Sequence, residues 1–303
     1  MPSPKTLLLG ALVVSTLWFI RAWHRNIRGT QGGPPSALEL FVGAITNFFD
    51  TLGIGSYAPT TAMFKFKGMV PDERIPGTLT IGHALPAITE AFIFITIVEV
   101  EFKTLAGLIA VSVLGARLGA GVVANWPRRN IQFGMGLALL AAAVLFVIKN
   151  LDEMRGVPVF PGGEAIGLDG GLLVIGLVGN FILGALMTLG VGLYAPCLIM
   201  ISLLGMNPRA AFPIMMGSCA FLMPSAGVKF MKEKSYSLKP ALGLTLGGIP
   251  AVLVGALIVK SLPLTTLRWL VVVVVLYSAV MMLRSGIIEP KQVRPSSPPP
   301  QPT

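Results

Sequence analysis

Long apolar segments separated by short polar loops dominate the chain. They fall roughly at residues 6–20, 75–98, 104–125, 131–148, 210–228, 238–259 and 264–283. Residues 242–259 and 267–283 are apolar on every helical face, whereas a surface helix of a soluble protein keeps one polar face. Their length suits a hydrocarbon core of about 30 Å. The pattern predicts an all-α polytopic membrane protein.

The chain contains an internal repeat at an offset of 137 residues. Residues 51–59 read TLGIGSYAP and residues 188–196 read TLGVGLYAP, and twelve of the 26 positions from Thr51 to Pro76 are identical in the second copy. The matches include Gly, Pro and Tyr, which do not interchange as Leu and Val do. Each copy then continues with three further apolar segments in the same order. The predicted unit is one broken segment followed by three transmembrane helices, and one N-terminal helix precedes the two units.

Each copy of the motif interrupts an apolar segment. Glycine adopts dihedrals that end a helix, and proline fits the first turn of a helix that restarts. The restarted halves, residues 59–66 and 196–204, cross less than half of the core at about 1.5 Å per residue. A bilayer tolerates such breaks only where protein or a water-filled cavity satisfies the freed backbone groups. We therefore expect the breaks to line the functional part of the protein.

Two topologies fit the broken segments: kinked full spans, or re-entrant hairpins that return to the side they entered. Nine crossings would place 13 Lys and Arg residues in cytoplasmic loops and 9 outside, whereas seven crossings with two hairpins would place 15 inside and 7 outside. The positive-inside rule favours the hairpins. Three spans per unit also orient the two copies oppositely, which is the inverted-repeat pattern of transporters.

Paired breaks of this kind predict an anion site. Helix N-termini carry partial positive charge and free N–H donors, and two restarted helices related by a pseudo-two-fold would direct both at one central point. The alternative is that the glycines only allow close helix packing. The predicted substrate-binding residues are Thr51, Gly53, Gly55, Tyr57, Pro59, Thr60, Thr188, Gly190, Gly192, Tyr194, Pro196 and Cys197.

At this duplicated motif the chain resembles the TauE/SafE sulfite exporter family, also called the toluene sulfonate uptake permeases. The resemblance spans roughly Ala37 to Leu283 and is carried by GIGSYAP at residues 53–59 and GVGLYAP at residues 190–196. Members commonly show a more glycine-rich GIGGG form, whereas Ser56-Tyr57 and Leu193-Tyr194 stand here. The resemblance implies passage of sulfite or small organosulfonates, usually outward and driven by the proton gradient.

Four ionisable residues fall within apolar segments, where charge is expensive and commonly functional. They are Asp50, His83, Glu90 and Arg117. His83 and Glu90 are seven residues apart on one helix face and suggest a relay, whereas Arg117 would contact the anion or neutralise an acid. Asp50 lies next to the first break and is the first choice for proton coupling, with a structural cap or pair as its alternative. The second copy has no equivalent acid.

Composition restricts the function classes further. The chain is 54% hydrophobic and 12% charged, with a net charge of +10 and a mean hydropathy of +0.79. Its Lys and Arg residues form short clusters between apolar segments, which indicates cytoplasmic loops facing anionic lipid and no nucleic-acid partner. Cys197 and Cys219 show no metal-ligand or disulfide spacing, so we expect no cofactor or metal.

We predict five regions and a multi-pass protein of the cell inner membrane with a cytoplasmic C-terminus. The regions are an N-terminal helix and basic loop (1–35), repeat 1 (36–149), an acidic extracytoplasmic connector (150–169), repeat 2 (170–286) and a disordered Pro-rich tail (287–303). A passive anion channel is the alternative to a secondary transporter. An intramembrane hydrolase using Ser218 and His83 lacks a GxSxG motif and would not explain the duplication, so we expect no enzyme. The oligomeric state stays open.

Overall fold

A computed structural model describes residues 3–28, 33–119, 128–155, 163–188 and 192–288. These residues form helices and no strand, and six helices among them are long and apolar enough to span a membrane, which confirms the predicted fold class. The helices are α1 (Pro4–Ile27), α2 (Ala37–Thr51), α3 (Tyr57–Lys67), α4 (Ile75–Gly82), α5 (Ala84–Ile97), α6 (Phe102–Leu114), α7 (Arg128–Arg155), α8 (Gly170–Met187), α9 (Tyr194–Leu203), α10 (Pro208–Lys232), α11 (Leu238–Ser261) and α12 (Leu264–Ile288). The tail from residue 289 lies outside the described residues.

Local sequence signals account for several helix ends. Ser36 and Glu39 form a capping box at the start of α2, in which Ser36 Oγ accepts from the Glu39 backbone and the Glu39 carboxylate accepts from the Ser36 backbone. Pro86 causes the turn at His83 between α4 and α5. Proline has no N–H, so it cannot donate to the carbonyl of Gly82 as the helix would require. The hydroxyl of Thr245 on α11 donates to that carbonyl at 2.7 Å instead. The helix therefore turns at His83 without leaving the Gly82 carbonyl unpaired.

The two repeats pack against each other through matching helix pairs. Helix α2 packs along α11 and α8 packs along α6, while α5 packs on α10 and α7 on α12. At the offset of 137 residues, α2 corresponds to α8 and α6 corresponds to α11. Interchanging the two repeats therefore converts the contact of α2 with α11 into the contact of α8 with α6. The other two contacts join equivalent helices of the two copies. A two-fold relation between the repeats generates this set of pairings.

The first broken segment returns to the end of the bundle from which it starts. Gly243 near the start of α11 lies against Glu39 at the start of α2, and Gly77 at the start of α4 lies against the Ser235 carbonyl just before α11. Helices α2, α4 and α11 therefore begin at one end. Residues 68–74 alone connect the end of α3 to α4, and seven residues with a 3₁₀ turn are too short to cross the bundle. Helices α2 and α3 thus form a hairpin.

The second broken segment returns in the same way at the opposite end. The segment 163–169 precedes α8 and is hydrogen-bonded to the residues that follow α9. The Gly163 N–H donates to the Gly205 carbonyl, and the Asn207 N–H donates to the Ala165 carbonyl. The same segment bonds to the start of α6 through the Glu101 N–H and the Ile166 carbonyl, at 2.8 Å. Since α6 follows directly on the far end of α5, this hairpin lies across the bundle from the first. The arrangement supports the predicted inverted repeat.

Glycine packing between α2 and α11 gives a stability prediction. A Cβ at Gly43 would overlap the Gly243 carbonyl oxygen and lie 2.7 Å from Leu244 Cα, whereas a Cβ at Gly10 on α1 meets no atom within 4 Å. Alanine favours helix equally at both sites. We therefore expect Gly43→Ala to lower stability by about 1–3 kcal/mol, while Gly10→Ala is neutral or stabilising. Thermal unfolding in detergent measures both, and equal melting temperatures would contradict the proposed packing.

Candidate functional site

The two breaks meet at one small cavity, which α12 also lines. Its volume of about 40 Å³ exceeds the roughly 10–15 Å³ that one ordered water needs. The cavity is lined by Gly55, Tyr57 and Ala58 from the first break, by Gly192, Tyr194, Ala195 and Pro196 from the second, and by Ile54, Tyr277, Ser278, Met281 and Met282. No Lys or Arg is among these residues. Backbone groups and hydroxyls therefore supply the polarity of the cavity.

Both restarted helices present their N-termini to this cavity. They begin at Tyr57 and Tyr194, two residues before the prolines expected to open them. The first intrahelical N–H bonds are those of Thr60 to Ser56 and of Cys197 to Leu193. The two residues that open each helix thus have N–H groups without an intrahelical partner, and the third is proline and has none. Because Tyr57 and Ala58, like their counterparts Tyr194 and Ala195, line the cavity, these donors lie at its edge.

The glycines of the two breaks are not equivalent. Gly53 and Gly55 have φ of 93° and 87°, a left-handed backbone that L side chains rarely adopt. Gly192 has no such φ, and a Cβ there meets nothing within 4 Å. Gly190 lies outside the described residues. Within the described backbone, the conformational requirement for glycine is demonstrated in the first break.

Glu90 joins the two hairpins from a fully buried position on α5. Its Oε1 accepts a hydrogen bond from the Thr51 hydroxyl at 2.7 Å, and its Oε2 accepts one from the Tyr194 hydroxyl, also at 2.7 Å. Thr51 ends the first arm of hairpin one, and Tyr194 begins the second arm of hairpin two. In the described part of the chain the ion pairs are Lys65–Asp72 and Lys103–Asp169, so no cation pairs with this carboxyl group there.

His83 lies one layer nearer the start of α2 and has its own partners. Its Nδ1 lies 2.9 Å from the side-chain oxygen of Asn47. The Asn47 amide nitrogen donates to the carbonyl groups of Gly43 and Leu244, which fixes the amide orientation and makes its oxygen the acceptor. His83 Nδ1 therefore carries hydrogen.

The other imidazole nitrogen of His83, Nε2, lies near the Thr60 hydroxyl, which can donate either to this nitrogen or to the Ser56 carbonyl. Thr60 Oγ1 lies 3.1 Å from His83 Nε2 and 2.7 Å from the Ser56 carbonyl oxygen. A threonine hydroxyl has one hydrogen, so it donates either to a neutral imidazole or to Ser56. In the second case it can accept a hydrogen from imidazolium, and the site accommodates both protonation states without moving.

Asp50 lies at the break itself and is buried, with 2% of its surface exposed. It accepts hydrogen bonds from the side chain and the backbone of Ser56. Its charge also acts on Glu90. Neither acid is among the described residues that line the cavity, but Glu90 bonds to Tyr194, which lines it. Neither acid forms an ion pair with a cation in the described residues.

The remaining predicted residues take supporting positions. Tyr57 donates to Thr80 on α4 at 3.2 Å, and the Thr188 hydroxyl donates to the Ala185 carbonyl. Gly53 packs against Leu198 and Met215 across the repeat interface. Cys197 is buried and Pro59 is half-buried near the site, without lining the cavity.

Arg117 is separate from this cluster. It lies in a π turn, Gly115–Gly119, that continues α6, and its side chain lines an apolar groove against α1. Its predicted pairing with Glu90 or Asp50 is not found, since Glu90 is bonded to Thr51 and Tyr194. The predicted relay between His83 and Glu90 is likewise not a direct contact, because each side chain bonds to other partners.

The structure adds five residues to the predicted site. Asn47 and Ser56 could have been found from the sequence, because they are polar residues within apolar segments of the first repeat. Thr80 could have been found because it shares a helix face with His83. No sequence signal indicated Tyr277 and Ser278, the polar residues of α12 in the cavity wall, because the equivalent positions in repeat 1 are Leu140 and Ala141. The added residues are Asn47, Ser56, Thr80, Tyr277 and Ser278.

Residues 172–303 match the family model described as Sulfite exporter TauE/SafE. The match confirms the resemblance deduced from the duplicated motif, and it covers the second repeat. Searches of curated proteins and of solved structures found no match.

Proposed function

We propose that this chain, identified as a TauE/SafE family protein by the match over its residues 172–303, is a secondary transporter that moves sulfite or a small organosulfonate out of the cell. The family consists of membrane transporters. The observation that carries the proposal is the pair of helix N-termini, at Tyr57 and Tyr194, that line one cavity between two hairpins. Inner-membrane location, a cytoplasmic C-terminus and the inverted orientation of the repeats belong to the same proposal.

The cavity suits a small oxyanion because its donors are fixed by the backbone. Four N–H groups at the two helix starts lie at the edge of the space, and the helix dipoles add partial positive charge. Oxygens on sulfur accept such hydrogen bonds in several directions. A site without a cationic side chain binds an anion reversibly, which a transporter needs in order to release it.

Proton coupling follows from the single hydrogen on the Tyr194 hydroxyl. While Glu90 is ionised, it accepts that hydrogen, and the hydroxyl has none left for an anion. When Glu90 takes up a proton, its own O–H can donate to Tyr194, and the tyrosine hydrogen becomes free to bind the anion in the cavity. Protonation also removes a negative charge beside the site. Anion binding and protonation of Glu90 therefore favour each other.

Asp50 and His83 extend the coupling path on the first-repeat side of the cavity. The two acids interact electrostatically, so a proton on one lowers the cost of charge on the other. Thr60 can exchange its hydrogen between His83 and Ser56 without rearrangement. We assign Asp50 and His83 to proton transfer and not to substrate contact.

Flux measurements in proteoliposomes test the proposed function. We expect saturable movement of sulfite or a small sulfonate that is accelerated by an imposed pH gradient. Passive channel activity would instead give flux that does not saturate and ignores the gradient. No sulfur-oxyanion flux in well-folded protein would overturn the substrate assignment.

The two tyrosines provide a matched pair of variants. Tyr194→Phe removes the hydroxyl that links Glu90 to the cavity, whereas Tyr57→Phe removes a hydroxyl bonded to Thr80. We expect Tyr194→Phe to weaken anion binding at acidic pH by about tenfold, for a lost hydrogen bond of 1.4 kcal/mol, whereas Tyr57→Phe should bind the anion nearly as the wild type does, because its hydroxyl donates to Thr80. Only Tyr194→Phe should also flatten the pH dependence of the transport KM. Equal pH profiles in the two variants would contradict the assigned role of Tyr194.

A further inference from the structure

A groove separates α1 from α6 on the outer surface of the bundle. Helix α1 packs chiefly on α10 and α5 and touches α6 only slightly. The space between them has a volume of about 630 Å³, far larger than the anion cavity. Its walls are apolar except for Ser15, Ser225 and Arg117. The groove lies apart from the site proposed for transport.

The groove has the length of one acyl chain. Helices α1 and α6 run in the same direction, because the Lys5 ammonium near the start of α1 donates to the Thr96 carbonyl, just before α6 begins. Leu8 and Ala106 therefore mark one end, and Trp18 and Arg117 mark the other. The helical rise between the ends is about 15 Å, close to the thickness of one leaflet's hydrocarbon.

Arg117 gives this groove a charged end. The side chain is exposed, and no ion pair in the described residues includes it. The π turn that holds it is fixed against α8, since a Cβ at Gly115 would overlap the Phe181 carbonyl oxygen. Charged side chains in a membrane need a partner, and arginine is well suited to phosphate because its planar fork donates to two oxygens.

This end of the groove lies on the basic side of the bilayer. Trp18 lies there, about 10 Å of helical rise before Arg25, a depth from which a long arginine side chain extends toward the headgroups. Arg21 and Arg25 follow on the same helix, and such residues attract anionic headgroups. The described residues that line the groove include no acidic side chain. The surroundings thus complement an anionic headgroup in charge and an acyl chain in shape.

We propose that this groove binds an anionic phospholipid, with an acyl chain between α1 and α6 and the phosphate at Arg117. The occupant is a lipid of the leaflet that faces the basic end of α1. The proposal is independent of the transport function, because it rests on a surface that shares no residue with the anion cavity.

Native mass spectrometry of the purified protein tests the site with two probes of equal chain length, phosphatidylglycerol and phosphatidylcholine. The wild type should retain phosphatidylglycerol about fivefold better, the effect expected of one arginine near a headgroup. Arg117→Gln should bind both lipids equally. Lys232→Gln, an exposed cation at the same end of the bundle on α10, is the control and should keep the preference.

A second variant tests the acyl-chain part of the site. Ala110 lines the middle of the groove, and Ala110→Trp should reduce retention of both lipids, since the indole fills the space. Unchanged preference in Arg117→Gln, or an equal loss in Lys232→Gln, would overturn the proposal. Displacement of phosphatidylglycerol by methanesulfonate, which has no acyl chain, would overturn it in favour of a substrate path.

Discussion

Replacing Glu90 by glutamine should make anion binding independent of pH and abolish accumulation driven by a proton gradient. Glutamine resembles the protonated carboxyl group in shape and charge and donates a hydrogen bond to Tyr194, so the hydroxyl stays available to the anion. Wild-type anion affinity should rise as pH falls, because protons and anion favour each other's binding. Coupling of this kind amounts to about 5–150-fold in affinity. Glu90→Gln should show the high, acid-like affinity at every pH.

Two measurements on the same proteoliposomes separate this result from misfolding. Exchange of labelled for unlabelled anion across the membrane needs binding and conformational change but no net proton movement, and it should persist in Glu90→Gln. Glu99→Gln alters an exposed acid in the loop after α5 and should leave the pH profile of the wild type. Retained proton-driven accumulation in Glu90→Gln would exclude Glu90 as the coupling group.

Alanine at Gly55 should impair transport, whereas alanine at Gly192 should not. Gly55 has a φ of 87°, and its Cβ would meet only Tyr194 Cβ at 3.9 Å, so the penalty comes from the backbone alone. An L residue pays roughly 1–2 kcal/mol in this region, which corresponds to about tenfold in binding if the loop shifts. Gly192 pays no such cost and has open space for a methyl group.

The test measures the anion affinity and the maximal transport rate of Gly55→Ala and of Gly192→Ala and compares the two. Gly55→Val should be more severe, because a β-branched side chain is a clear outlier at positive φ. If Gly55→Ala transports like the wild type, the shape of the first break is not needed for the site. If Gly192→Ala fails equally, the two breaks contribute through packing and not through the backbone conformation described.

The two repeats share the same helix arrangement, but they differ in the ionisable side chains that they place near the cavity. Among the described residues, the buried ionisable groups near the cavity other than tyrosine and cysteine belong to repeat 1, namely Asp50, His83 and Glu90. Their positions in repeat 2 hold Met187, Ala220 and Gly227. A symmetric proton site would place further acids together in a low dielectric, where like charges repel strongly. On the proposed mechanism, a single proton-binding side leaves the second hairpin free to serve the anion alone.

Sequence pattern was sufficient for the helical membrane class, the repeat and the location of the breaks. High hydropathy over 18 or more residues and the Gly-x-Gly…Pro motif are both local in sequence. Each reflects a requirement that the bilayer imposes on the backbone whatever the neighbouring helices are. The family resemblance rested on the same motif. The role of Gly192 was less well predicted, because an identical residue in a repeated motif does not imply an identical dihedral angle.

The sequence by itself determined that the chain is a duplicated helical membrane protein with one interrupted helix in each copy. Only the tertiary structure decided which side chains meet. Glu90 lies between Thr51 and Tyr194, His83 bonds to Asn47 and Thr60, and Arg117 lies in a groove at the lipid surface. The reason is physical: a helix period restricts which residues share a face, but partners that lie 104 residues apart, as Glu90 and Tyr194 do, are chosen by how the hairpins pack.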